Sequence, residues 1–306
     1  MRTLSLGITL LALLLACSGP QQPTPPGGSP LGSQEVIDLP PSEPSAPTAS
    51  PTPAEPAEPA EDSRQSSSGT PTGELPPESG SADAHFPTDD YAAILETYVT
   101  ADGGFRYAAL HASNENSRDL AAVCDRIANA TPQTWSASAQ LAFYVNAYNA
   151  LVIQSVIERW PLQSVMRVPG FFDRIRHTVA GRELTLNQLE NNIIRGPQFA
   201  EPRIHFIVNC ASAGCPPLAG SPYAASSLEE QMETQTQSFL RRTTRLQAGT
   251  IKVTKLFEWF LGDFGGRDGV RRFLARYLND DLAARVRDPG TRIGTYPYDW
   301  SINSRP

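Results

Sequence analysis

The chain has 306 residues, 40% of them hydrophobic and 8% aromatic, enough to bury one good core or two small ones. Its formal charge of −7 is unevenly placed: Ser18 to His85 holds ten acidic residues against Arg64 alone, about −9, and the part beyond it is near +1. A near-neutral folding part without a Lys/Arg run has no electrostatic footprint for nucleic acid, which excludes that class of partner.

Met1 to Cys17 carries one positive charge at Arg2, then an apolar run from Leu4 to Leu15 broken by Ser5, Gly7 and Thr9, then Ala16-Cys17. The run is too short for a permanent span, and its flanks predict a secretory signal. Leu14-Leu15-Ala16-Cys17 resembles the bacterial lipobox, which implies acylation of Cys17 as the new N-terminus and a stable hold on a membrane. Ser18 follows where inner-membrane retention is associated with Asp, so resemblance to Gram-negative lipoproteins implies the outer membrane, facing the periplasm. The alternative is an ordinary signal peptide with an incidental cysteine.

Residues 18–85 contain no Phe, Trp or Tyr and more than half of the 28 prolines. Such a stretch buries too little apolar surface to offset its ordering entropy, which predicts a disordered tether stiffened by proline and swollen by like charge. The folded domain is expected over 86–306.

Tyr91, Ile94, Leu95 and Tyr98 recur at three and four after Thr88-Asp89-Asp90, an amphipathic helix with its N-cap region. A second helix is expected from Ser117 to Asn129, with Leu120, Val123, Cys124 and Ile127 on one face, where Cys124 reads as a buried inert thiol. Trp135 to Trp160 is apolar nearly all the way round and predicts a central helix, with Asn146 and Asn149 as amides in need of partners. Val168 to Phe172 reads as a loop with exposed aromatics, and His177 to Leu184 as a hairpin. Thr185-Leu186-Asn187-Gln188 is a capping-box pattern opening a helix to about Arg195. Further on come a helix from Ser226 or Ser227 to Arg241, a strand over 250–254 and an aromatic helix over 256–261. A helix over 268–277 and a strand over 292–296 complete the chain. Helices around few strands, without βαβ alternation, predict an α+β fold: one mostly helical domain around a small sheet.

The densest group of reactive side chains is His205, Asn209, Cys210, Ser212 and Cys215. Arg203 to Val208 reads as a buried strand, running into a turn of small residues closed by Pro216-Pro217.

From Tyr91 to Asn303 the chain resembles the bacterial and plant family known as domain of unknown function 547. The resemblance is carried by Ala142-Phe143-Tyr144-Val145-Asn146-Ala147-Tyr148-Asn149, by Leu184 to Glu190, by Pro202 to Leu218, and by Asp263-Phe264 and Tyr298 to Asn303. Members commonly carry an aromatic, often Trp, where this chain has Tyr144, a mild departure. The family has no agreed activity, so the resemblance implies boundaries rather than a reaction.

Two readings of the cysteine turn stay open. In the first, Cys210 is a nucleophile on amide or thioester bonds, His205 its base, and an amide or carboxylate from Asn146, Asn149, Asp263 or Asp299 orients the imidazole. On a regular strand His205 would share a face with Asn209 rather than Cys210, and His177 is a second candidate partner. In the second, Cys210 and Cys215 form a structural disulfide in an oxidising compartment, within a non-enzymatic binding or envelope-assembly module. A redox-active pair would reconcile them, at a spacing longer than C-x-x-C. Two cysteines and His205 have no zinc spacing, and Gly262 to Gly266 lacks the lysine of a phosphate loop, so neither metal nor cofactor is expected. The expected partners are the membrane, through the lipid, and a peptide, cell-wall or protein ligand.

Overall fold

The computed structural model describes residues 88–306, so the expected signal segment, Cys17 and the expected tether lie outside the described residues. Helix α1, Thr88–Tyr98, packs on α3, Asn114–Asn129, across the short α2, Tyr107–Ala112. Ser113 opens α3 by accepting the Asn116 N–H at 3.2 Å, satisfying one of the donors that a helix start leaves free. Helix α4, Ala137–Ile157, starts at Ser136 and buries 16 of its 21 residues, which makes it the pillar of the first core. A polar face is nearly absent from its sequence because protein surrounds it.

The hairpin β1, Arg176–Val179, and β2, Arg182–Thr185, pairs antiparallel with His177 opposite Leu184. Thr185 and Gln188 exchange the reciprocal bonds of a capping box and open α5, Leu186–Leu189. This helix widens into a π turn, Glu190–Ile194, a distortion often found at functional sites.

The second core joins α6, Leu228–Thr243, α7, Leu256–Trp259, α8, Gly266–Tyr277, and α9, Asp280–Arg287. They pack with a sheet of order β3 (Arg245–Gln247), β4 (Thr250–Val253) and β5 (Arg292–Thr295). β3 and β4 run antiparallel, while β4 and β5 run parallel because α7 to α9 supply the crossover between them. The fold is α+β and mostly helical, as expected, with two small sheets. α2, α9 and β3 were not legible in the apolar pattern.

Two expectations are corrected. Residues 203–208 are not a strand: Pro202–Phe206 is a 3₁₀ helix. Pro202 presets the helical φ, and Glu201 caps the turn by accepting the Arg203 N–H at 2.9 Å. Ile204 and Ile207 enter the first core and Phe206 the second, so the apolar run records burial on several sides rather than a β ladder. The aromatics of the 168–172 loop also turn inward: Phe171 is 1% exposed and Phe172 is half-buried.

Candidate active site

The cysteine turn is built from its backbone outward. Asn149, on α4, clamps its start with both ends of its amide, donating to the Ile207 carbonyl at 3.0 Å and accepting the Asn209 N–H at 2.8 Å. Asn209 then accepts the Ala211 N–H at 2.8 Å and donates to the Pro216 carbonyl at 2.7 Å, closing the loop across its own ends. Ala211 takes a left-handed φ of 61°, held by these bonds. The C-terminal tail lies alongside: Ala213 donates to the Ser301 carbonyl at 2.7 Å and Gly214 to that of Asp299 at 2.8 Å. A Cβ on Gly214 would lie 2.9 Å from the Asp299 nitrogen, so the close approach requires glycine.

Within this frame Cys210 and Cys215 are joined in a disulfide with Cα atoms 6.3 Å apart. The Cys215 sulfur accepts two hydrogen bonds, from the Cys210 N–H at 3.0 Å and from the Tyr298 hydroxyl at 3.1 Å. The Tyr298 oxygen also stands 3.3 Å from the Cys210 sulfur and accepts a bond from the Ser212 hydroxyl at 3.0 Å. Burial raises the Tyr298 pKa and the Ser212 bond lowers it; the net shift is upward, so this phenol keeps its proton.

Both cysteines line a cavity of about 150 Å³ together with His205, Glu190, Tyr148, Tyr298, Trp259 and Trp300. His205 stacks on Phe260 at 4.0 Å between ring centres and is 1% exposed. Its Nε2 lies 2.8 Å from Asp263, which Arg195 grips with two nitrogens at 2.7 and 2.9 Å. Its Nδ1 is buried with no hydrogen-bond partner among the described residues. Burial pushes the imidazole pKa down; Asp263 pulls it up and Arg195 adds to the decrease, so the ring is neutral near pH 7. For Asp263, burial works upward, yet the bonds from His205 and Arg195 win and hold the carboxyl well below its ordinary range. Arg195 is the permanent cation of the two, so Asp263 stays ionised beside a neutral imidazole.

Glu190, at the start of the π turn, bonds to the Tyr148 hydroxyl from α4. Burial raises its pKa above the ordinary carboxyl value, and the Tyr148 bond and Arg195 oppose that only in part.

Cys210 and His205 therefore share one cavity, with Asp263 on the imidazole. The 3₁₀ turn removes the strand alternation that would have separated them. Asn146 stands elsewhere: its amide is engaged at both ends by the Tyr223 backbone, at 2.8 and 2.9 Å. It does not line the cavity, and this double bond anchors the 219–225 loop to α4. His177 is half-buried on β1 and does not line the cavity, Asp299 bonds Ser301, and His111 is exposed. Cys124 is a buried free thiol, and burial pushes its pKa up to about 12. Sequence reasoning missed Tyr298 and Glu190 as site residues. Each stood inside a stretch noted for its pattern, but only the fold aims them at the sulfurs and the cavity.

Among the described residues no group of three or more His, Cys, Asp or Glu side chains is placed to hold a metal ion. No helix among them is long and apolar enough to cross a membrane. No curated protein and no solved structure matches the chain. Residues 132–240, which include α4, the hairpin, the π turn and the whole cysteine turn, match the family model described as "Protein of unknown function, DUF547", and this supports that family for the chain.

Proposed function

We propose that the domain is a cysteine-dependent hydrolase or acyl transferase acting on amide or thioester bonds, with the Cys210–Cys215 disulfide as its latent, oxidised form. One observation carries the reading: Cys210 shares a cavity with an imidazole that Asp263 grips at Nε2 and whose Nδ1 has no partner among the described residues. A neutral His205 is able to take a proton from a reduced Cys210, and Asp263 then stabilises the imidazolium. Only the reduced protein reacts, since a bridged sulfur cannot attack.

The test is alkylation of the reduced protein by iodoacetamide, with the modified cysteine located by mass spectrometry. Cys210 is expected to react at least about tenfold faster than an unactivated thiol, with a rate that follows His205 and falls in His205→Gln. A Cys210 that reacts like an ordinary thiol in both proteins would refute the proposal.

The bridge itself favours a second reading, a binding or envelope-assembly module whose cysteine turn is stapled. Under that reading reduction lowers the melting temperature and uncovers no activated thiol.

The same proposal places the domain on a membrane through an acylated Cys17, at the outer membrane and facing the periplasm, with a peptide or cell-wall substrate. The lipobox-like Leu14-Leu15-Ala16-Cys17 and the proline-rich tether support this. Mass spectrometry of the mature N-terminus checks it: a first residue other than a lipid-modified Cys17 refutes the anchor.

A further inference from the structure

In the oxidised protein the Cys215 sulfur rests against two donors, the Cys210 N–H at 3.0 Å and the Tyr298 O–H at 3.1 Å. These converge on one point beside the Cys210 sulfur, which itself lies 3.3 Å from the Tyr298 oxygen. Two preorganised donors, each about 3 Å from a spot adjoining a nucleophile, form the geometry that stabilises the oxyanion of acyl transfer. We infer that the Cys210 N–H and the Tyr298 hydroxyl are the oxyanion hole of this site, and that Cys215 plugs it in the bridged state. This rests on the acyl-transfer reading above and assigns Tyr298 as a further catalytic residue. The disulfide then blocks the nucleophile and the oxyanion position with a single bond.

Activation begins with a dithiol reductant. It supplies two electrons and two protons, leaving Cys210 and Cys215 as thiols and the reductant as a disulfide. With its sulfur no longer bonded to Cys210, Cys215 is free to rotate out from between the two donors. The Cys210 proton passes to His205, the sulfur attacks the acyl carbon, and a C–S bond forms as the carbonyl electron pair moves onto oxygen. That oxygen accepts from the Cys210 N–H and the Tyr298 O–H. Collapse restores the carbonyl and breaks the bond to the amine or thiol leaving group, which takes the proton from His205. Water then repeats the cycle on the thioester, releasing the acid and the Cys210 thiol. Tyr298 keeps its proton throughout, because burial disfavours the phenolate. Ser212 donates to the Tyr298 oxygen and so leaves the phenolic hydrogen directed at the site.

The test uses the full chain with p-nitrophenyl acetate as acyl donor and iodoacetamide as a probe that develops no oxyanion. The rates compared are those of acetyl-Cys210 formation and of Cys210 alkylation, each on its high-pH plateau. Tyr298→Phe is expected to slow acetylation about 10²-fold while alkylation stays within about twofold. Equal effects on both probes, or none on either, would overturn the oxyanion assignment while leaving the His205-dependent thiol in place. Absence of Cys210 acetylation in reduced wild type would overturn the acyl-transfer reading, and this inference with it. Cys215→Ala covers the case in which the phenylalanine variant does not fold: it is expected to acetylate without reductant at the rate of reduced wild type. A Cys215→Ala protein that folds, shows an alkylatable Cys210 and acetylates at least tenfold more slowly than reduced wild type would overturn the plug.

Discussion

At the scale of single residues, the site depends on which proton sits where. His205 is buried and neutral, held by an ionised Asp263 that Arg195 also grips. Asp263 raises the imidazole pKa and Arg195 lowers it, so Asp263→Asn is expected to move the pH–rate midpoint of Cys210 alkylation to lower pH. A purely structural role for the carboxylate would change the rate and leave the midpoint in place. Glu190 carries the opposite kind of shift. Its pKa is raised by burial above the ordinary 4.5, so ionising it in the fold costs stability that is absent below that pH and appears as pH rises through the folded value. Glu190→Gln, which retains an acceptor for Tyr148, is expected to raise the melting temperature at pH 7 and to change it little at pH 4. His205 works on the other side. Its lowered pKa gives stability that is full above about 6.5 and declines as pH falls through the folded value, so between pH 7 and pH 5 the wild-type melting temperature is expected to fall relative to that of His205→Gln, which lacks this titration.

At the scale of elements, two polar clamps decide the shape of the cysteine turn. Asn149 satisfies a buried N–H and a buried carbonyl with one side chain. Asn149→Ala leaves both without a partner, each at a cost of about 1–3 kcal/mol, and a denaturant titration is expected to show a loss of that order. Gly214→Ala presses a methyl against the Asp299 backbone and is expected to cost about 1–3 kcal/mol and to loosen the tail. The 3₁₀ turn at Pro202–Phe206 belongs to the same design. Arg203, 8% exposed, reaches Glu201 and Glu229 at 2.6 Å and Glu233 at 3.2 Å, tying the turn to α6. His205 therefore emerges from a segment fixed on both sides.

At the scale of the described molecule, the site sits where the 3₁₀ turn enters both cores and where the tail crosses the cysteine turn. Removing residues 298–306 is expected to leave most helical signal in circular dichroism, since few core residues lie there, while the disulfide reduces faster once Tyr298 and the 299–301 backbone are gone. Much of the architecture was legible in the letters, because amphipathic periodicity, the Thr185 capping box and the nearly all-apolar α4 act locally and need no knowledge of the rest of the chain. The grouping of reactive residues around Cys210 was legible for the same reason, as neighbours in sequence. The 3₁₀ turn was not, since burial on several sides and burial in a sheet leave the same apolar run. Nor were the partners of each polar side chain. Asn146 and Asn149 are three residues apart on one helix, yet one braces a loop at Tyr223 and the other the cysteine turn. Asp263 and Tyr298 reach the site from 58 residues beyond His205 and 88 beyond Cys210. Composition and local pattern set the elements because those energies are short-ranged, and the chemistry waited on tertiary packing because hydrogen bonds and pKa values depend on neighbours that the chain brings from far away.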